Sequence, residues 1–95
     1  MSDDPPVPAP RRKLDVRVSD EQRPGTYANM LIVSHGPHEF TLDFSQIHPQ
    51  GEGGATAEVV SRIRIAPTMV AQVLQALNTN LSSYEDRFGP VKALG

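Results

Sequence analysis

The chain has 95 residues, a formal net charge of −2, 21% charged and 38% hydrophobic residues, and no cysteine. That length holds at most one domain, and the charge offers no global attraction to nucleic acid or to an anionic membrane. Disulfides and thiolate chemistry are excluded, and no apolar run reaches the roughly 18 residues of a membrane span.

Residues 1–12 read as a disordered, proline-rich tail, and 13–95 as a single α+β domain. Pro5, Pro6, Pro8 and Pro10 follow Asp3 and Asp4, so the stretch lacks backbone donors and has little to bury. This acidic, proline-rich start is unlike a signal peptide, which makes the cytoplasm the expected compartment. Arg11-Arg12-Lys13 is a local basic run and reads as a solvated flank.

Leu14, Val16 and Val18 alternate with Asp15, Arg17 and Ser19, the period-two pattern of a half-buried strand. Gln22-Arg23-Pro24-Gly25 breaks it. A second strand is expected over Tyr27–Ser34, where Met30, Leu31, Ile32 and Val33 are consecutive and make both faces apolar. After the turn His35-Gly36-Pro37-His38, strict alternation resumes from Glu39 to Phe44, with Phe40, Leu42 and Phe44 on one face. So short a connection predicts an antiparallel hairpin.

Ser45 to Gly54 holds Pro49, Gly51, Gly53 and Gly54 and reads as a flexible loop. Ala55 to Ile65 reads as a fourth strand. Strict alternation puts Ala57, Val59, Ser61, Ile63 and Ile65 on one face, and Thr56, Glu58, Val60, Arg62 and Arg64 on the other. Pro67 suits the first helical position, and apolar residues then recur at steps of three and four through Phe88, the stripe of a long amphipathic helix. Gly89-Pro90 ends it. The expected architecture is therefore a four-stranded, mainly antiparallel meander followed by one long C-terminal helix packed on it.

Tyr27-Ala28-Asn29, then Glu39-Phe40-Thr41-Leu42-Asp43-Phe44, then Ser61-Arg62-Ile63 with Pro67, then Tyr84-Glu85 with Phe88-Gly89 occur in this order. On this frame the chain resembles a small bacterial and archaeal family of domains of unknown function, over Tyr27 to Gly89. The resemblance implies no activity and no cofactor. Ala66 departs from it, standing before Pro67 where a polar capping residue would be more usual. The strand-and-helix layout is also similar to that of the SecB-type export chaperones, in architecture and without shared motifs.

Candidate sites are few. His35 and His38 flank a turn, and with Glu39 or His48 they have the ligand types of a zinc or nickel site, although histidines at polar turns commonly bind nothing. Asp43 and Arg62 on neighbouring strands suit a cross-strand ion pair that fixes register. Arg62 and Arg64 together would suit an anionic partner. Ser34 and His35 are strand neighbours, whose side chains point to opposite faces and make no dyad. No nucleophile–base arrangement is visible, so the chain is not expected to be an enzyme. The aromatics are Tyr27, Phe40, Phe44, Tyr84 and Phe88. The phenylalanines fall on expected buried faces, which argues against a nucleic-acid stacking platform.

One helix covers only one face of a sheet, so the two-faced strand Met30-Leu31-Ile32-Val33, with Val60, is the expected oligomer interface. The leading expectation is a small, non-enzymatic interaction module acting as a dimer or higher even oligomer, without cofactor, nucleic acid or membrane partner. A chaperone-type binder of extended peptides is the alternative. A small-ligand or metal-binding protein centred on His35, His38 and His48 is the third reading.

Overall fold

The computed structural model describes residues 13–92, and the proline-rich stretch at residues 1–12 lies outside them. The described chain is α+β, in the order β1 (Met30–His35), β2 (Phe40–Pro49), β3 (Ala55–Ile65) and α1 (Pro67–Phe88). The three strands form one antiparallel sheet with β2 in the middle.

Both hairpins follow from local chemistry. The Gly36 N–H donates to the Glu39 carbonyl at 2.9 Å and closes the first turn. The second closes between Gln50 and Gly54, also at 2.9 Å, with Gly51 and Gly53 at φ of 63° and 70°. Side-chain-bearing residues rarely adopt that backbone. The turn therefore spans only 50–54. Ser45 to Pro49, expected as loop, instead extend β2 and pair with β3 down to Pro49 opposite Ala55. Proline is tolerated there because it ends the strand.

The register assigns the faces. Leu31, Val33, Phe40, Leu42 and Phe44 share one face with Ile63 and Ile65. Met30, Ile32, Asp43, Ser45 and Arg62 share the other. Phe44 lies opposite Ser61 but Ser45 lies opposite Val59, so Val60 is an extra residue in a β-bulge. The bulge overturns strict alternation along β3. Ala57 and Val59 join Arg62 and Arg64 on the second face, and Thr56 and Glu58 move to the first.

The fourth strand expected at Leu14–Val18 is not formed in the single chain. Lys13 to Ser19 run without regular structure, and Leu14 and Val16 are 87% and 79% exposed. The intervening turn is held by Gln22 and Arg23 N–H groups donating to the Ser19 carbonyl. Gln22 and Thr26 line a shallow cleft with Phe44, Ser61 and Ile63. The chain before β1 therefore crosses the sheet toward β3 rather than pairing beside β1.

Helix α1 begins at Pro67 and ends at Phe88, with Gly89 at φ 95° donating its N–H to the Glu85 carbonyl. Ala66 makes no side-chain cap, so proline geometry alone sets the start. No helix among the described residues is long and apolar enough to cross a membrane.

Candidate protein-interaction site

The apolar groups of this chain are arranged but not enclosed. Among the described residues no hydrophobic side chain is buried, and the only buried ones are Asp43 and Ser45. A protein interior normally gathers its leucines, isoleucines and phenylalanines first. Here Leu74 and Leu77 are 64% exposed and Phe88 is 68% exposed. The helix expected to pack on the sheet thus covers it only in part.

Where they approach, α1 and the sheet leave an apolar cleft of about 210 Å3. Leu31, Val33 and Phe44 line it from the sheet, and Val73, Leu74 and Leu77 from the helix. Native interiors tolerate few voids larger than a water molecule. Beyond the cleft the stripe continues through Leu81, Tyr84 and Phe88, with the Tyr84 and Phe88 rings 4.9 Å apart. On the opposite sheet face Ile32, Ile47 and Val59 are each more than 40% exposed.

Of the residues expected at an interface, Leu31 and Val33 lie on the cleft face, while Met30 and Ile32 lie on the other. Val60 sits at the bulge in β3 and is half-buried. The sequence reading missed the cleft, Ile47 and the face of Val59. The finer spacing of the helical stripe was the signal for the first. The bulge hid the third.

The ion pair is complete within one chain. Arg62 Nε and Nη2 donate to Asp43 Oδ1 and Oδ2 at 2.6 and 3.1 Å, a bidentate contact between residues directly opposite on β2 and β3. The hydrogen bond from Arg62 holds the Asp43 carboxyl below its ordinary value of 3.8, partial burial opposes this, and the Arg62 and Arg64 charges add to the lowering. The same pairing raises Arg62. Beside it Ser45 is fully buried between Met30 and Val59, its hydroxyl donating to the Asp43 carbonyl at 3.3 Å. With Arg62 engaged, the pair braces the sheet rather than offering a free cation.

The three histidines do not converge. His35 stacks on its cross-strand partner Phe40 with ring centroids 5.4 Å apart, and His38 lies in the adjoining turn. His48 stands near the far end of β2, roughly 26 Å along the strand from Phe40, with Nε2 3.8 Å from Glu58 Oε1. Among the described residues no group of three or more His, Asp or Glu is placed to hold a metal ion. Glu39 tucks its carboxylate against Gly36, where an added Cβ would lie 2.7 Å from Oε2.

A family model described as "Protein of unknown function (DUF3467)" matches residues 1–93, and the chain belongs to that family. No curated protein and no solved structure matches it.

Proposed function

For this member of a family of unknown function, we propose a non-enzymatic interaction module that works as a homodimer, joined through the apolar surface of α1 and the sheet. The observation that carries this reading is the absence of any buried hydrophobic side chain among the described residues. Hydrophobic burial is the main term opposing chain entropy, and a lone chain of this shape lacks it. Its radius of gyration is 18.7 Å, against about 12 Å for a compact chain of this length. The accessible surface is 9111 Å2, against roughly 5,400 Å2 for a compact protein of this mass.

In the assembly, Leu14–Val18 supply the fourth strand. Their apolar residues alternate, they lie outside any regular element, and they make no backbone–backbone hydrogen bond among the described residues. The outer edges of β1 and β3 are both open to such pairing. A cytoplasmic setting is part of this reading.

Light scattering at micromolar concentration tests it, with twice the 10.4 kDa chain mass expected. Tm should fall on dilution, because folding and association are then coupled. A concentration-independent Tm with the mass of one chain refutes the proposal. The second reading, capture of extended peptides, draws on the same open edges. It predicts that an unfolded client co-sediments with the assembled protein, which a module binding only its own copy would not do.

A further inference from the structure

The stripe on α1 is more regular than a core-facing helix requires. Val70, Leu74, Leu77, Leu81, Tyr84 and Phe88 follow steps of four, three, four, three and four. This is the a/d repeat of a coiled-coil seam; Val73, which also lines the cleft, widens it in the first half, and from Leu77 onward only the seam positions are apolar. Resting on the dimer reading above, we propose that α1 pairs with α1 of a second copy, antiparallel about a twofold axis near Thr79. The C-terminal half of each helix then enters the apolar cleft of the other copy.

Antiparallel pairing centred there builds matched layers. Val70 meets the partner's Phe88, Leu74 meets the partner's Tyr84, and Leu77 meets the partner's Leu81. Each pair recurs on the other side of the axis, as an isologous contact must. The smallest side chain of the seam meets the ring at the far end, so layer volumes even out. Val70, Leu74 and Leu77 are also the helical wall of the 210 Å3 cleft. The rings of Tyr84 and Phe88, half or more exposed in one chain, are the bulky groups that fill it.

Charge selects the direction. Between Pro67 and Tyr84 the helix has no charged residue, and Glu85, Asp86 and Arg87 are clustered in its last turn. Parallel pairing would set each of these beside its own copy. Antiparallel pairing instead sets Glu85 and Asp86 opposite the partner's Val73 and Gln72, on a stretch of helix that carries no charge, so like charges are kept apart.

The chain has no cysteine, so single cysteines introduced at the exposed, uncharged positions Thr68, Thr79 and Ser83 carry unique nitroxide labels. Pulsed electron resonance on the full chain reads the distance between copies. At 1.5 Å rise per residue the labels are offset along the axis by about 0 Å at Thr79, about 12 Å at Ser83 and about 33 Å at Thr68. The expected result is therefore a distance that grows in that order. Similar distances at all three positions would mean parallel helices, and a longest distance at Thr79 would mean a dimer built elsewhere. Either overturns the pairing while leaving the dimer standing. Absence of any distance between copies, with the mass of one chain, removes the dimer reading as well.

Discussion

The β2–β3 ladder and helix α1 are finished to different degrees. In the ladder the demanding groups are satisfied inside one chain: Asp43 is held by Arg62 and Ser45 is buried beside it. On the helix the interior backbone is bonded within the helix, yet the apolar stripe is open along most of its length. Directional interactions need only the nearest strand, and pairing across a hairpin delivers it. The hydrophobic term needs enclosed apolar area, which this sheet and helix do not give each other among the described residues. The contrast separates the contacts one chain completes from the surface that the proposed dimer would cover.

The largest expected effect tests that contrast on the helix. Leu77→Ala should cost about 2–5 kcal/mol in denaturant unfolding of the assembled protein, the penalty for a buried leucine. In an isolated chain the side chain is already largely wet, and the same change would cost about 0.5 kcal/mol or less. A loss of the smaller size places Leu77 at a free surface and breaks the comparison.

On the ladder, Asp43→Asn removes the charge that Arg62 engages. It should lower Tm while leaving the mass by light scattering unchanged, since the pair lies within one chain. Wild-type protein carries a pH signature of the same contact. Because the folded Asp43 value is depressed, its contribution is fully present above the ordinary value. It is lost as pH falls through the depressed folded value. Acid titration of stability should therefore drop less steeply below about pH 4 in Asp43→Asn than in wild type. Identical profiles would show that the bidentate contact contributes nothing in solution.

Smaller effects sharpen the edges of the picture. Ala66 has φ −66° and ψ 144° and no capping hydrogen bond, a backbone ready for a capping side chain. Ala66→Asp should add about 1 kcal/mol by accepting a free N–H of the first turn. An unchanged Tm would place those N–H groups in other hydrogen bonds. Val16→Pro removes one potential ladder donor and should cost about 0.5–1 kcal/mol if Leu14–Val18 pair in the assembly. If hydrogen exchange shows no protection at Leu14–Val18 in the wild type, the fourth strand is absent from the assembly too.

Much of the fold was legible because its punctuation is covalent. Proline at position 67 and glycine at 89 bound α1 to the residue, and Gly51 and Gly53 mark the tight turn before β3. Asp43 and Arg62 were readable as partners because their strands alternate without interruption up to Phe44 and Ser61. The strand Ser45–Pro49 was not. Gln46, His48 and Pro49 have little strand preference of their own, and pairing with Ala55–Val59 overrides it. Val60 has no sequence mark of a bulge either, so the faces of Ala57 and Val59 depended on a register that only the neighbouring strand sets. For the same reason His48 looked close to the other histidines: a residue assigned to a loop has no fixed distance from a turn, whereas a paired strand holds it far away.

Local order was therefore a property of the sequence by itself: where the helix and most strands run, which residues are apolar, and that the strand through Leu31 and Ile32 serves two faces. Backbone restrictions and side-chain periodicity act over a few residues, and they write themselves directly into the chain. Tertiary structure alone decided how those surfaces meet. It showed that the first segment leaves the outer edge of β1 without a strand, that a bulge turns half of β3 over, and that the helix stripe remains open after the chain has folded. Those outcomes depend on distant pairing and on the balance between buried area and chain entropy, which no local window contains.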